Sequence, residues 1–235
     1  MQREIWVLRH GHRRDYEPEW NKHPRFKENF RDPPLSKYGF KLAKKGALEF
    51  IKKSNAVKEK KIKFIYCSPY TRCIQTAIEI IKAVKKKIKY DIKLIIVYSL
   101  GESGWYARYE DFEIRNEKLL LSNDKIIDAK MKINYLEKKY KNYIHKFVGS
   151  DIKNVTFDKE LQIMFKTIIN IKNKEKNSFV IVGHLDTARI AYRYFYDDKK
   201  IPDWVIGGPK YCNIMMGFLD DNDNYKLLYK PNNDF

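Results

Sequence analysis

The sequence predicts an α/β fold: a three-layer sandwich with a mostly parallel central sheet, helices on both faces and a helical insertion over the candidate site. Two observations predict it. Short apolar runs (Ile5-Trp6-Val7-Leu8, Phe64-Ile65-Tyr66 and Phe179-Val180-Ile181-Val182) alternate with longer stretches at helical spacing, as expected of strands joined by crossover helices. Each run then ends in turn-forming residues that carry cationic or nucleophilic side chains. At 235 residues the chain can bury a full core. A single domain over 1–235 is expected, with a long loop at 12–34 and an insertion at about 103–150 as cap elements.

The elements follow in chain order. Residues 4–8 read as a buried strand ending at Gly11. Residues 12–34 hold Pro18, Pro24, Pro33 and Pro34 without periodicity and read as a loop, of a length that is usually functional. Ser36 reads as a helix N-cap, followed by Leu42, Ala43, Ala47, Phe50 and Ile51 at helical spacing. A second strand is expected over 62–66. Ser68-Pro69 then reads as a helix start, with Ile74, Ala77, Ile78 and Ile81 on its apolar face. Residues 93–97 form a third strand. The stretch 103–150 is aromatic, charged and helical in pattern. A helix over about 158–172 leads into the strand 179–182, and Asp186 to Tyr196 reads as the next helix. Two late strands, 212–219 and 225–229, are joined by a turn at Asp221-Asn222-Asp223-Asn224.

Composition narrows the function classes. The chain is 43% hydrophobic and 14% aromatic, which supports a folded globule, and no stretch approaches the length of a membrane span. The amino-terminal segment is charged early, and its apolar run is too short for a signal peptide. The three cysteines, Cys67, Cys73 and Cys212, have no metal-type spacing and suit a reduced, cytoplasmic setting. Cys67 and Cys73 read as small core residues. The net charge of +18 falls in lysine stretches scattered along the chain, such as 82–89, 138–141 and 172–176. General basicity accounts for these better than a dedicated nucleic-acid surface, though a positive field concentrates anionic substrates.

The candidate chemistry lies at the strand ends. In an open α/β sheet ligands sit beyond the carboxyl ends of the strands. Arg9, His10, Arg72 and His184 all stand at or just past such ends, and Ser68-Pro69 is expected to aim a helix amino terminus at the same crevice. Guanidiniums, imidazoles and helix amides together suit a phosphoryl group. Arginines beside a histidine disfavour its imidazolium form, so neutral His10 is a candidate nucleophile toward phosphorus. The arginines and His184 would then stabilise charge on the oxygens. Glu102, after the third strand, is the candidate acid for the leaving group.

These segments resemble the histidine phosphatase superfamily. Leu8-Arg9-His10-Gly11-His12-Arg13 resembles its Arg-His-Gly signature, and Asp32-Pro33-Pro34-Leu35-Ser36-Lys37-Tyr38-Gly39 its Pro-Leu-Ser/Thr-x-x-Gly segment. Cys67-Ser68-Pro69-Tyr70-Thr71-Arg72-Cys73-Ile74-Gln75-Thr76-Ala77 resembles its Ser-Pro-x-x-Arg-x-x-Gln-Thr-Ala segment, and Val182-Gly183-His184 its second histidine motif. The four stand in family order from residue 3 to about 190. The resemblance implies a phosphohistidine at His10, a phosphate pocket of Arg9, Arg72 and His184, Arg13 as a further phosphate contact and Glu102 as proton donor. It implies no metal and no cofactor, with a phosphoprotein or small-molecule phosphate as substrate. Within the superfamily the chain looks most like the suppressor of T-cell receptor signalling and ecdysteroid-phosphate phosphatases, a branch that implies a possible homodimer.

Three alternatives are set against this reading. A phosphoglycerate mutase-type phosphotransferase is disfavoured by His12-Arg13-Arg14-Asp15, where mutases carry Glu-Ser. A non-catalytic phosphate-binding module is disfavoured by the full set of catalytic residue types. A metal site of His10, His12 and Asp15 is disfavoured by spacing and by Arg9, Arg13 and Arg14. His12 replaces the Glu usual in the branch, and its role is open. His23 and His145 have no motif context, and Asp186 and Thr187 read as helix-start residues. Trp105 to Tyr109 either line a substrate mouth or pack the insertion.

Overall fold

Alternation along the strands divides the core in two. In the computed structural model, which describes residues 2–22, 32–101, 140, 142–148, 157–196 and 215–229, Trp6 and Leu8 face one side of the sheet while Ile5 and Val7 face the other. Val180 and Val182 likewise oppose Phe179 and Ile181, and Leu94 and Ile96 oppose Ile95 and Val97. A strand buried on both faces reads as a continuous apolar run, which is how these segments look in the sequence.

The strands are β1 (Arg3–Arg9), β2 (Phe64–Cys67), β3 (Lys93–Val97), β4 (Ile144–Val148), β5 (Phe179–Gly183), β6 (Met215–Asp221) and β7 (Asn224–Tyr229). They form one sheet in the order β4-β3-β2-β5-β1-β6-β7. The first five positions of that order are mutually parallel, whereas β6 and β7 are antiparallel additions at one edge. The helices are α1 (Lys37–Lys53), α2 (Asn55–Lys58), α3 (Thr71–Ile88), α4 (Phe157–Lys174) and α5 (Leu185–Tyr196). Phe50, Val57, Ile74, Ala77 and Ile81 of α1, α2 and α3 cover one face. Met164, Ile168, Ala188, Ala191 and Phe195 of α4 and α5 cover the other.

Two expectations are corrected. The carboxyl end of the stretch expected to be helical is a strand, since β4 pairs parallel with β3 and extends the sheet; its β-branched and aromatic residues suit an edge strand. The helix expected to begin at Ser68-Pro69 begins at Thr71, with Tyr70 as N-cap residue. Residues 102–139, 149–156 and 197–214, with Glu102, Trp105 to Tyr109 and Cys212, lie outside the described residues, as does His23.

The sheet order places the site. β5, late in the chain, is inserted between β1 and β2, so the ends of three strands become neighbours. The His10 amide donates to the Gly183 carbonyl at 3.0 Å and the Ser68 amide to the Val182 carbonyl at 3.0 Å. The lysines that look scattered in the sequence are also ordered by this topology. Those at the end of α3, before β2 and at the start of β3 collect at the opposite end of the sheet.

Candidate active site

His10 directly follows β1 and is 1% exposed. Its Nδ1 lies 2.7 Å from the Gly11 carbonyl oxygen. A carbonyl only accepts, so Nδ1 carries the proton and Nε2 presents its lone pair. Burial first, then the Arg72 and Arg9 charges, hold His10 well below the ordinary histidine value, against an opposing contribution from its Gly11 hydrogen bond; Arg13 lowers it further. The imidazole is therefore neutral and nucleophilic at neutral pH.

His184 follows β5, is also 1% exposed, and its ring centroid lies 5.3 Å from that of His10 in an edge-on arrangement. Arg72 Nη2 approaches its Nδ1 at 3.5 Å, and Ser68 Oγ lies 2.8 Å from its Nε2. Since a guanidinium only donates, His184 carries its proton on Nε2 and donates it to Ser68. Burial, then Arg72, His10, Arg9 and Arg13, push its pKa well below the ordinary value. Its amide donates to Thr187 Oγ1 at 3.1 Å, and a Cβ on Gly183 would lie 2.4 Å from that oxygen. Thr187 thus opens α5 and also fixes the backbone of His184.

Arg72 is fully buried in the first turn of α3, with its guanidinium 4.4 Å from the centre of the Tyr70 ring. Asp32 closes this helix end. Its carboxylate accepts from the Thr71 amide at 2.8 Å and the Thr71 hydroxyl at 2.7 Å, and stands 3.6 Å from Arg72 Nη1. The helix amino terminus expected to serve an anionic ligand is therefore capped at Thr71 by the chain's own carboxylate. Arg9 and Arg13 are 9% and 7% exposed and act electrostatically on both histidines. Arg13 grips the Asp15 carboxylate through Nε and Nη2 and lies 5.0 Å from the centre of the Tyr16 ring.

The remaining motif residues position this cluster, roles that sequence reading left unassigned apart from the Ser36 N-cap. Thr76 Oγ1 accepts the Gly11 amide at 3.1 Å and donates to the Arg72 carbonyl at 2.8 Å, tying the two motifs together. Gln75 Oε1 accepts the Leu35 amide at 2.7 Å. A Cβ on Gly39 would sit 2.1 Å from the His12 carbonyl oxygen, so only glycine lets α1 approach the His10 loop this closely. Ser36, the N-cap of α1, accepts the Gly39 amide at 2.9 Å, and its Oγ lies 2.9 Å from His12 Nδ1. His12 thus faces the helix cap, with Tyr16 and Tyr38 rings at 5.5 and 5.6 Å. Cys67 and Cys73 are buried core residues. His145 is exposed on β4, its ring stacked on Phe64. Asp186 pairs with Arg189 within the first turns of α5.

The structure therefore brings together Arg9, His10, Arg13, Arg72 and His184 at the carboxyl ends of parallel strands. Two neutral histidines among three arginines at the strand ends of an α/β sheet make a site of the kind that suits a phosphoryl group. The model of the histidine phosphatase superfamily (branch 1) matches residues 5–95, a segment that holds the first three motifs. The chain thus carries, over residues 5–95, a segment similar to that superfamily. Among curated protein sequences none matches it. Similar solved structures share the fold across the whole chain at low identity. The ecdysone phosphate phosphatase of Bombix mori is 16% identical, with a TM-score of 0.57 and 97% of this chain and 93% of that one covered. The phosphoserine phosphatase of Entamoeba histolytica is 14% identical, with a TM-score of 0.53 and 98% of each chain covered. A mycobacterial glucosyl-3-phosphoglycerate phosphatase is 14% identical, with a TM-score of 0.52 and 98% of this chain and 99% of that one covered.

Proposed function

We propose that the protein is a metal-independent phosphomonoesterase that works through a phosphohistidine at His10. The observation that carries this reading is the His10 Nδ1–H bond to Gly11, which leaves Nε2 as the nucleophilic atom inside a cluster of arginines. Nε2 attacks phosphorus in line, the P–O bond to the leaving group breaks, and the phosphoryl group rests on His10 until water hydrolyses it. Arg9, Arg72 and the Nη1 edge of Arg13 hold the phosphoryl oxygens. His184 lies between Ser68 and Arg72 and lends its ring to the same pocket. Glu102, just past the turn that follows β3, supplies the leaving-group proton. The phosphatases that share the fold support a phosphorylated substrate, either a phosphoprotein or a small-molecule phosphate. No helix among the described residues is long and apolar enough to cross a membrane. The cytoplasm is the proposed setting.

The test is hydrolysis of an aryl phosphate in the presence of a chelator, with acid quenching to trap an acid-labile phosphoenzyme. Wild type is expected to turn over and trap label, and His10→Ala to do neither. Turnover by His10→Ala, or loss of wild-type activity with chelator, overturns the mechanism. Glu102→Ala is expected to retain aryl phosphates, whose leaving groups need no proton, and to lose alkyl phosphates.

A further inference from the structure

Parallel strands begin at one end of a sheet, and the helices that feed them end there. In this chain that end is lysine-rich. Lys60, Lys61 and Lys63 lie between α2 and β2, and the Lys85-Lys86-Lys87 run and Lys89 close α3; all are exposed. Lys93, also exposed, opens β3, where its amide donates to the Lys63 carbonyl at 3.0 Å, so the two lysine groups are adjacent. The carboxylates at this end are Glu59, paired with Lys61 at 2.5 Å, Asp91, paired with Lys85 at 2.9 Å, the half-buried Glu175, and Asp220, Asp221 and Asp223 of the β6–β7 hairpin, of which Asp220 pairs with Arg3 and Asp223 with Lys172. Positive charge is in clear excess.

A second observation separates this rim from general basicity. Lys60 and Lys89 both adopt left-handed backbone, with φ of 57° and 55°, at the ends of α2 and α3. Glycine or asparagine is the unstrained residue at such helix ends. At both positions the chain carries lysine instead, so two ammonium groups of this rim stand at backbone positions that fold stability alone does not favour for lysine.

We propose that this end of the sheet is a docking surface for an anionic lipid bilayer. Among the described residues of this rim the exposed cations are compact ammonium groups on flexible stems, Arg3 being held by Asp220, and no exposed aromatic ring accompanies them. Arginine forks and exposed rings are what proteins use to grip nucleic acid. Clustered exposed lysines are what a flat anionic surface attracts, with strong salt dependence. Docking by this end turns His10 and His184, at the opposite ends of the strands, away from the bilayer. The pocket then acts on phosphates in solution or on other proteins and not on headgroups of the same membrane.

The experiment is co-sedimentation with neutral phosphatidylcholine vesicles and with vesicles containing phosphatidylserine. Wild type is expected on the anionic vesicles only and to be released by salt. Lys60→Gly/Lys89→Gly is expected to melt higher, because the strain is relieved, yet to bind the anionic vesicles on the order of tenfold or more weakly for two lost charges. Lys41→Gln/Lys44→Gln, on the exposed face of α1, serves as control and is expected to bind as wild type. Aryl phosphatase activity is expected to be equal in all three. Equal vesicle binding by the Gly variant, binding to neutral vesicles, or tighter binding to duplex RNA than to anionic vesicles overturns the proposal.

Discussion

At the scale of residues, Arg72 does several things at once. One guanidinium covers Tyr70, reaches His184 through Nη2 and stands beside Asp32 through Nη1. A lysine keeps the charge and loses the fork, so Arg72→Lys is expected to lower kcat/KM on the order of a hundredfold. Its acid limb of kcat/KM against pH should stay where it is in wild type. Arg72→Met removes the charge that lowers the His10 pKa. His10 is then protonated at higher pH, and the acid limb moves upward. Steady-state kinetics across pH separate the two, and an unmoved limb in Arg72→Met removes Arg72 as a cause of the neutral His10.

At the scale of elements, the fold rests on carboxylates placed at helix starts. Glu4, 6% exposed at the start of β1, accepts from Trp6 Nε1 at 2.7 Å, Ser54 Oγ at 2.6 Å, and the Asn55 and Ala56 amides at 3.0 and 3.1 Å. It joins the first strand to the amino end of α2. Glu4→Ala strands these donors and is expected to cost about 3 kcal/mol, or roughly 10 °C in Tm. Glu4 lies at the far end of β1 from His10, so kcat/KM of the folded fraction should be unchanged. Gly39 carries the opposite expectation. Gly39→Ala forces α1 away from the His12 carbonyl, and both Tm and kcat/KM should fall together. Calorimetry beside kinetics on the two variants checks this contrast.

At the scale of the whole molecule, burying two histidines among arginines ties stability to pH. Both pKa values are depressed on folding, so the unfolded chain takes up protons that His10 and His184 in the native state refuse. Stability from this source is complete above the ordinary histidine value of about 6.5 and falls as the pH drops below it. By pH 5.5 the loss is expected to be about 1.4 kcal/mol for each histidine. Urea unfolding at pH 7.5 and 5.5 measures it. A His10→Phe/His184→Phe variant should lose this part of the pH dependence, and an unchanged slope counts against the assignment.

Much of this was legible in the chain itself. Apolar runs and helical spacing are local properties, set by which side chains share a face, and they located most of the elements and the residue types at the strand ends. His10, Arg72 and His184 were recognisable because each directly follows or opens such an element. What only the tertiary structure decided depends on partners far apart in sequence. Inserting β5 between β1 and β2 made His10 and His184 neighbours. The Gly11 carbonyl and the Ser68–Arg72 pair assigned the protons on the two rings. Asp32, read only as part of a motif, proved to be the cap on α3. The lysines that close α3, precede β2 and open β3, separate in the sequence, were brought to one end because parallel strands all start there. Periodicity is written into a few consecutive residues, whereas strand order is settled by long-range pairing, which no local pattern records.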